Sequence, residues 1–363
     1  MNWRFLLYTL SLFFISCSQA YDGSDETLAH FRNVFIKDTL MTSSYIDLEK
    51  YDILEPVHAI KRDGMFYLWH TTSYDSIIAR INPKDNTVIQ GVSEGQGPGE
   101  IIPGISFQIW RDTLLIYEAN RTRYHVVNDN GEDLYLSDYR EISKDPSVGF
   151  ISKIHLLTDG YIIQGIQQGL DNAWLSTYNN ENSVTSTIAF PDYEAYEGVD
   201  SWYIGFILSG TIIALSPDKQ KIVCTHRSGG SSIYFGVIKN GNSVHEVKRW
   251  NYQAPILRKV LLEGVEATVE TRLSPMSFMG LACSDKYVYA VYAGRTIEEY
   301  GITEAFQGDH LLIYDWKGNP VKHYLLEKPL YSLGYEEETQ TLYGISYDPE
   351  GVLVEYQLNE EGL

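Results

Sequence analysis

The sequence predicts an all-β fold, a six-bladed β-propeller of four-stranded antiparallel blades. Composition agrees, because 44% of the 363 residues are apolar and 28 are Tyr, a residue that favours half-buried strands. The main observation is a repeat, in which an apolar segment, a tight acidic turn and a second apolar segment recur six times. The turns are marked, at intervals of 47 to 67 residues, by Asp63, Asp112, Asp159, Asp218, Asp285 and Glu338. A period of roughly this length is typical of propeller blades.

A second series of turns completes each repeat. Polar turns that follow a third apolar segment begin, one in each of the first five repeats, at Asn82, Asn128, Asn179, Lys239 and Asp315. Each repeat therefore reads as a meander of four strands. Hairpins alone would also suit a β-sandwich, but a regular second series favours blades.

The ends of the chain predict how the ring closes. The sixth repeat has a third strand and no fourth, whereas "SSYIDLEKYDIL", residues 43–54, reads as a strand without a partner before the first repeat. We expect this N-terminal strand to complete the last blade. Such closure removes the open sheet edges that promote aggregation.

The first 20 residues read as an export signal. Arg4 precedes an apolar run from Phe5 to Ile15, which is too short to cross a bilayer as a helix. The sequence "FISC" resembles a bacterial lipobox and predicts lipidation at Cys17, with an ordinary signal cleaved after Ala20 as the alternative. The predicted organisation is a signal peptide over 1–16, a lipidated tether over 17–34 and one propeller domain over 35–363.

The charge balance and the cysteines narrow the partners. With 28 basic and 48 acidic side chains the formal charge is −20, which disfavours nucleic acid as a partner and predicts a self-repelling body. We expect a monomer, and the lipobox predicts that it meets the membrane through a lipid anchor on Cys17. Besides Cys17 there are only Cys224 and Cys283, in strand-like segments without metal-ligand spacing. Pairing of these two and burial as free thiols both remain open.

A glycine-rich loop separates the first two repeats. It contains Gly95, Gly97, Pro98, Gly99 and Glu100 in "GQGPGE". A phosphate-binding loop should open a helix, and here a strand pattern follows. The loop is therefore predicted to be a structural corner in which Glu100 caps free N–H groups.

Three features together resemble the TolB-like six-bladed propeller lipoproteins common in Bacteroidetes. They are the lipobox cysteine, the G-x-G-P-G-E loop and the closing segment from Ile313 to Gly351, and with the blades between them they cover nearly all of the mature chain. The resemblance implies the propeller fold and a place in the cell envelope. It implies no reaction, since the family is mostly uncharacterised.

Candidate ligand-binding residues come from the loops at one end of the predicted channel. Basic side chains concentrate at the turns between second and third strands, at His70, Arg121, Arg123, His226, Arg227 and Arg295. Guanidinium groups suit carboxylate or sulfate recognition, although these arginines could instead pair with acids such as Glu298 and Glu299. The aromatic connection 190–206 offers Tyr193, Tyr196, Trp202 and Tyr203 as a stacking ledge or, alternatively, as packing against a blade.

The sequence favours binding over catalysis. It contains no HExxH, P-loop or calcium-loop motif. We therefore expect a non-catalytic outer-membrane lipoprotein, facing the cell surface or the periplasm, that binds a glycan, a peptide or an envelope protein, with no predicted cofactor. The alternative is a metal-dependent hydrolase or lyase with a divalent cation in the channel, whose first ligands would be His70, His226 and Asp348. Residues 256–275, with apolar positions at 257, 260, 261 and 265, are predicted to be helical.

Overall fold

The computed structural model describes residues 23–71, 76–102, 105–141, 148–167, 170, 172–262 and 264–363. The described part begins with helix α1 (Gly23–Val34), followed by strands β1 (Ile36–Met41) and β2 (Ser44–Asp47). Six sheets follow one another along the chain, which confirms the predicted six-bladed propeller.

The first three blades each contain four consecutive strands. Blade 1 comprises β3–β6, with bounds Pro56–Arg62, Met65–His70, Ile78–Asn82 and Thr87–Gly91. Blade 2 comprises β7–β10, with bounds Ile105–Trp110, Thr113–Glu118, Arg123–Asp129 and Leu134–Glu141. Blade 3 comprises β11–β14, with bounds Val148–Leu157, Gly160–Gln167, Ala173–Asn179 and Val184–Ala189.

The last three blades differ in how they are completed. Blade 4 comprises β15–β18, with bounds Thr211–Leu215, Lys221–His226, Ser231–Lys239 and Ser243–Gln253. A hairpin of β19 (Leu257–Leu262) and β20 (Val265–Glu270) precedes blade 5, which comprises β21–β24 with bounds Phe278–Cys283, Tyr287–Tyr292, Gly308–Asp315 and Pro320–Leu330. Blade 6 contains β25–β27, with bounds Gly334–Glu336, Thr341–Ser346 and Val352–Gln357.

Strand β2 closes the ring as the sequence predicted. It pairs antiparallel with β27, with Tyr45 opposite Val354 and Ile46 opposite Leu353, and so becomes the outer strand of blade 6. Leu48, which follows β2, is fully buried among apolar residues of blades 1 and 6. Strand β1 adds something unforeseen, because it lies parallel to β24 as a fifth strand on blade 5.

The predicted turns set the orientation of every blade. Asp63 and Gly64 join the first two strands of blade 1 with φ of 52° and 75°, the left-handed region that Gly and Asp tolerate best. All turns of this first series lie at one end of the channel, here called the lower end. Loops from second to third strands, and from each blade to the next, lie at the upper end.

The predicted helix over 256–275 is wrong. The segment is the antiparallel hairpin of β19 and β20, with Leu257 opposite Glu270 and Leu262 opposite Val265. Its apolar positions fit a helix and a strand alike, so local chemistry decides. β-branched residues are frequent in it, and Gly264, with φ of 87°, provides the tight turn that a hairpin needs.

Helix α1 lies along the outside of blades 4 and 5 and contains the described part of the segment predicted as a tether. Thr27 donates a hydrogen bond to Gln253 at the upper end of β18 (3.3 Å). Phe31 is fully buried and packs edge-on against Tyr292 at the upper end of β22. Phe35 packs nearer the lower end, on a tyrosine of β23. The helix therefore runs from the upper end of the propeller towards the lower end.

The two cysteines of the blades are not paired. Cys224 is fully buried, and the Cys283 thiol donates to the Leu215 carbonyl oxygen at 2.9 Å. Burial raises the pKa of both thiols, that of Cys283 to about 12. Both therefore behave as protonated core side chains.

Candidate functional site

Two cations from different blades approach the same part of the channel. Lys153 lies on β11, the innermost strand of blade 3, between the buried Ile151 and Ile154. Arg227 directly follows β16 of blade 4 at the upper end, where its carbonyl oxygen accepts the Ser277 N–H at 2.8 Å. The strand and this loop contact bring both cations to the upper mouth of the channel.

Aromatic side chains hold the Arg227 guanidinium in place. Its central carbon lies 4.3 Å from the Tyr331 ring centroid, and Nη2 donates to the Tyr331 carbonyl oxygen at 3.1 Å. The Tyr331 ring in turn packs edge-on against Tyr347, with centroids 5.8 Å apart. Tyr347 donates its hydroxyl to the Pro56 carbonyl oxygen in blade 1. The rim of the mouth is thus continuous from blade 4 through blades 5 and 6 to blade 1.

Lys153 is a desolvated amine that pairs with no acid among the described residues. Its Nζ donates to the Thr211 carbonyl oxygen at 3.0 Å. Burial, with a smaller contribution from repulsion by Arg227, lowers its pKa to about 8. At neutral pH the amine is still mostly charged, so the mouth holds a cation at the expense of stability.

Two histidines near Lys153 are neutral. Burial first, and then Lys153 and Arg227, lower the pKa of His58 to about 4. The same causes, burial first and then Lys153, lower the pKa of His155 to about 3. His58 stacks on Phe107 of blade 2, with ring centroids 6.1 Å apart. These rings can offer hydrogen bonds but no positive charge at physiological pH.

Within the part of the chain that the structure describes, no carboxylate lies within 4.0 Å of the charged atoms of Lys153 or Arg227. Two like charges facing one channel without counter-charge repel each other and favour an anion between them. The site can therefore bind an anionic group by charge and by hydrogen bonds.

The lower end of the channel is narrowed by a contact across the ring. The Lys219 Nζ of blade 4 lies 3.6 Å from the ring centroid of Trp110 in blade 2, a cation–π contact. Burial, and then Arg111, lowers the pKa of Lys219 to about 8. This contact joins blades 2 and 4 at the lower end.

His226, the neighbour of Arg227, has a structural role in shaping the loop. Its Nδ1 lies 2.6 Å from the Ser228 carbonyl oxygen and its Nε2 lies 2.8 Å from Ser232 Oγ. Both ring nitrogens are used within the loop, and burial lowers the pKa of the ring to about 4. His226 is the last residue of β16 and is buried, whereas Arg227, which follows the strand, reaches the mouth.

The same loop receives a buried carboxylate from the hairpin. Both Glu270 carboxylate oxygens accept the Gly229 N–H, at 3.0 and 2.9 Å. Gly229 and Gly230 have φ of 86° and 91°, a conformation that turns consecutive N–H groups to one side. Burial raises the pKa of Glu270 to about 7. The hairpin is thus fastened to the loop that carries Arg227.

Arg121 and Arg123 point to an acid rather than to the channel. Arg121 Nε lies 3.5 Å and Arg123 Nε lies 3.4 Å from the carboxylate of Glu118, which is fully buried. His125 also contacts this carboxylate at 2.9 Å. This network neutralises the Glu118 charge inside blade 2.

The remaining two basic candidates are likewise engaged or enclosed. Arg295 Nη2 lies 2.7 Å from Asp309, rather than against the neighbouring acids Glu298 or Glu299. His70 is fully buried at the end of β4, and burial lowers its pKa to about 4. Of the six basic candidates, Arg227 is the one that the structure brings to the mouth.

The predicted aromatic ledge separates into a buried and an exposed part. Tyr193 and Tyr196 are buried, and Tyr196 donates its hydroxyl to the Gly229 carbonyl oxygen at 2.7 Å. Trp202 and Tyr203 lie on helix α2 (Ser201–Ile207), which Asp200 caps by accepting the Trp202 N–H at 2.8 Å. The Tyr203 hydroxyl donates to the Glu266 carbonyl oxygen of the hairpin at 2.9 Å, and Trp202 is exposed.

The glycine-rich loop is a compact corner at the upper end. The Gly97 N–H donates to the Glu100 carboxylate at 2.7 Å, and Gly99 has φ of 80° beside Pro98. A Cβ atom at Gly95 would lie 2.0 Å from Glu100 Oε2. The glycines therefore leave room for the capping carboxylate.

The described residues contain no cluster of three or more His, Cys, Asp or Glu side chains able to hold a metal ion. Asp348 is exposed, and its carbonyl oxygen accepts from Lys328 Nζ at 2.7 Å. A channel-bound cation held by His70, His226 and Asp348 stays a prediction. Cys17 lies outside the described residues, and no helix within them is long and apolar enough to cross a membrane.

Sequence reasoning missed Lys153 and His58. It considered loop tips, whereas both residues lie on innermost strands, in "SKIHLL" and "PVHAIK". A lone polar residue facing inwards on such a strand is the signal that marks a channel wall. The signal is visible only once innermost strands are assigned.

Comparisons with known proteins agree with the fold. A family model described as TolB-like 6-blade propeller-like matches residues 35–338. No curated protein matches significantly. Among solved structures, the β-propeller domain of Cps50 (Swd1) from Myceliophteria thermophila has a TM-score of 0.50 at 10% identity, covering 87% of this chain and 98% of that one. A putative exported protein from Bacteroides fragilis has a TM-score of 0.49 at 9% identity, covering 89% and 100%.

The likeness to the Cps50 domain concerns the fold alone, because sequence identity is so low. The family match is different in kind, since it spans most of the chain, from β1 to the first strand of blade 6. The closed ring, the blade order and this match lead to one conclusion: the chain belongs to the TolB-like six-bladed propeller family.

Proposed function

We propose that this protein is a lipid-anchored envelope binding module that captures an anionic ligand at the upper mouth of its channel. The lipid is attached at Cys17, and the protein is an outer-membrane lipoprotein. The ligand is a glycan, a peptide or an envelope protein that presents a carboxylate or a similar anion. The binding residues are Lys153 and Arg227, with the His58 ring as a neutral hydrogen-bonding neighbour.

One observation carries the proposal: Lys153 and Arg227 share the channel without a carboxylate partner among the described residues. A protein that needed these side chains only for folding would be expected to pair them, because an unpaired, partly buried charge is destabilising. Arginines elsewhere in the chain follow that expectation, as Arg123 and Arg295 do. Among the described residues, Arg227 therefore departs from the other partly buried arginines, and this departure suits recognition.

The geometry also favours an anion over a neutral ligand. The Tyr331 ring holds one face of the Arg227 guanidinium, which orients the group and reduces the entropy lost on binding. The desolvated Lys153 amine gains more from an anion than a solvated amine would, because the surrounding dielectric is lower. Together, the Lys153 amine and the Arg227 guanidinium can bind the two oxygens of one carboxylate.

The test is a set of matched ligand pairs measured by isothermal titration calorimetry. Oligogalacturonate is compared with its methyl ester, and a tripeptide with a free C-terminus is compared with its amide. We expect the acidic member of at least one pair to bind more tightly by tenfold or more, and the double variant Lys153→Met/Arg227→Gln to remove that preference.

Arg295→Gln is the matched control, since it removes one arginine charge from a pair outside the mouth. It should leave affinity unchanged. Equal affinity for the acidic and neutral members, or full retention of binding by the double variant, would contradict the proposal.

A further inference from the structure

Three segments form a raised structure at the upper end, here called the crest. They are helix α2, the hairpin of β19 and β20, and helix α3 (Ile297–Ala305). Each interrupts a connection at the upper end, between blades 3 and 4, between blades 4 and 5, and between the second and third strands of blade 5. The crest therefore lies over one side of the ring.

Hydrogen bonds join the three segments into one body. Tyr203 of α2 donates to the Glu266 carbonyl oxygen of the hairpin at 2.9 Å. The Glu298 N–H of α3 donates to the Arg272 carbonyl oxygen just after the hairpin at 3.2 Å. Glu270 fastens the hairpin to the loop below it. Side chains on the crest thus keep fixed relative positions.

The outer surface of the crest carries several large exposed apolar side chains. Trp202 and Phe206 lie one turn apart on α2 and are each 52% exposed, while Ile204 and Ile207 of the same helix face the core. Exposed large apolar side chains continue along the hairpin tip and α3, at Leu261, Val265, Tyr300 and Ile302. Such a surface marks an interaction site.

The chain leaves the described structure beside the crest. Helix α1 runs from upper to lower end along blades 4 and 5, with Thr27 already at the upper end of β18. Gly23 lies about 6 Å further up, at 1.5 Å per helical residue. From Gly23 back to Cys17 are six residues, which reach at most about 20 Å when extended. A lipid at Cys17 would therefore hold a membrane close to the crest.

We infer that the crest is a membrane seat, so that its apolar side chains rest in the interfacial layer of the lipid surface that anchors Cys17. This inference rests on the lipid anchor of the proposed function. Trp, Tyr, Phe and Leu are the residues that partition at that layer. The channel mouth then faces the membrane, and its anionic ligand arrives from that side.

The negative charge of the crest and of the whole chain indicates which kind of lipid surface the crest can contact. Glu266, Glu298, Glu299 and Glu304 are exposed on the crest, and the chain carries a formal charge of −20. Anionic headgroups would be repelled, so the seat fits zwitterionic lipid. A second copy of this strongly acidic chain would be repelled as well, which makes self-association through the crest unfavourable.

The experiment uses the full mature protein, purified from membranes and reconstituted in phosphatidylcholine vesicles through its own anchor. Single cysteines for spin labels are placed on the crest, Leu261→Cys and Ile302→Cys, and at lower-end turns, Glu181→Cys and Lys317→Cys. Collision rates with oxygen and with a water-soluble nickel chelate are measured by electron paramagnetic resonance. Mass spectrometry of the N-terminal peptide establishes whether Cys17 is acylated.

We expect crest labels to be several-fold less accessible to nickel than the lower-end labels, with higher relative access to oxygen. Vesicles rich in phosphatidylglycerol should weaken that protection. An acylated Cys17 with equal nickel access at both ends would overturn the membrane seat and leave the anchor standing. An unmodified Cys17 would overturn both. If the crest labels stay protected from nickel in detergent without vesicles, and the protein is a dimer in that solution, the membrane seat is overturned and the crest is a self-association surface.

Discussion

Arg227 lies over the ring of Tyr331 with its guanidinium carbon 4.3 Å from the ring centroid, and it donates to the carbonyl oxygen of the same residue at 3.1 Å. The side chain is therefore fixed by an aromatic face and a neutral acceptor, both of which leave its charge uncompensated. Lys153 shares this condition, since its amine donates to a carbonyl oxygen. At these two positions the uncompensated charge should favour ligand binding and lower the stability of the fold.

Lys153→Met tests that conflict. Because the folded-state pKa of Lys153 is about 8, below the usual value near 10.5, the charged amine destabilises the fold at pH 7, and this penalty disappears as pH rises from 8 towards 10.5. The variant should be more stable than the parent by about 1–3 kcal/mol at pH 7. Chemical denaturation at pH 7 and pH 10 measures the difference, which should shrink at pH 10. Lys317→Met, at an exposed lower-end turn, should change little, and a destabilised Lys153→Met protein would refute the argument.

Glu270 predicts a pH dependence of the opposite sign. Its folded-state pKa of about 7 is raised from about 4.5 by burial, so its contribution to stability is complete below pH 4.5 and is lost as pH rises through 7. Glu270→Gln removes the charge that causes this loss. Between pH 5 and pH 8 the parent should lose about 1–3 kcal/mol of stability relative to the variant. Thermal unfolding at both pH values checks the prediction, and Glu266→Gln on the exposed hairpin edge is the control. Parallel profiles of stability against pH for the parent and Glu270→Gln would contradict it.

Phe31→Ala tests the docking of helix α1. Phe31 is fully buried and touches aromatic rings of blades 4 and 5. Its removal leaves a cavity between two blades and should destabilise the protein by about 3–5 kcal/mol. Proteolysis should then cut within residues 23–34 before the blades are attacked. Val34→Ala, at an exposed position of the same helix, should leave the proteolysis rate unchanged, and equal rates for both variants would show that the helix is not held by Phe31.

The glycine-rich corner predicts that the effects of substitutions at Gly95 and Glu100 on stability are coupled. A Cβ atom at Gly95 would collide with the Glu100 carboxylate, which caps Gly97. Gly95→Ala should therefore destabilise the protein by about 1–2 kcal/mol, the effect of losing a buried hydrogen bond. In the Glu100→Ala background the same substitution should have a much smaller effect. Additive effects of the two changes would place the strain elsewhere.

The sequence predicts the fold correctly at positions where one or two residues determine the backbone conformation. Asp63 and Gly64 adopt positive φ and so fix a tight turn between two strands. The strand around Ile46 has no partner before the first blade, so its pairing with the last blade closes the ring. Residues 257–270 could not be assigned this way, since their apolar spacing suits a helix as well as a hairpin. The site is harder still, because the pairing of Arg123 with Glu118 and the isolation of Lys153 depend on which side chains meet across strands and blades. Such contacts leave no local pattern.

The most direct test of the anion-binding mouth is the titration of the Lys153 amine. Reductive methylation with ¹³C-formaldehyde makes the amine visible to NMR, and the Lys153→Met spectrum assigns its signal. The midpoint should lie near pH 8 in the free protein and move upwards when an acidic ligand binds, but not with its neutral analogue. A midpoint at the usual value near 10.5, or one that the acidic and neutral ligands shift equally, would contradict the account.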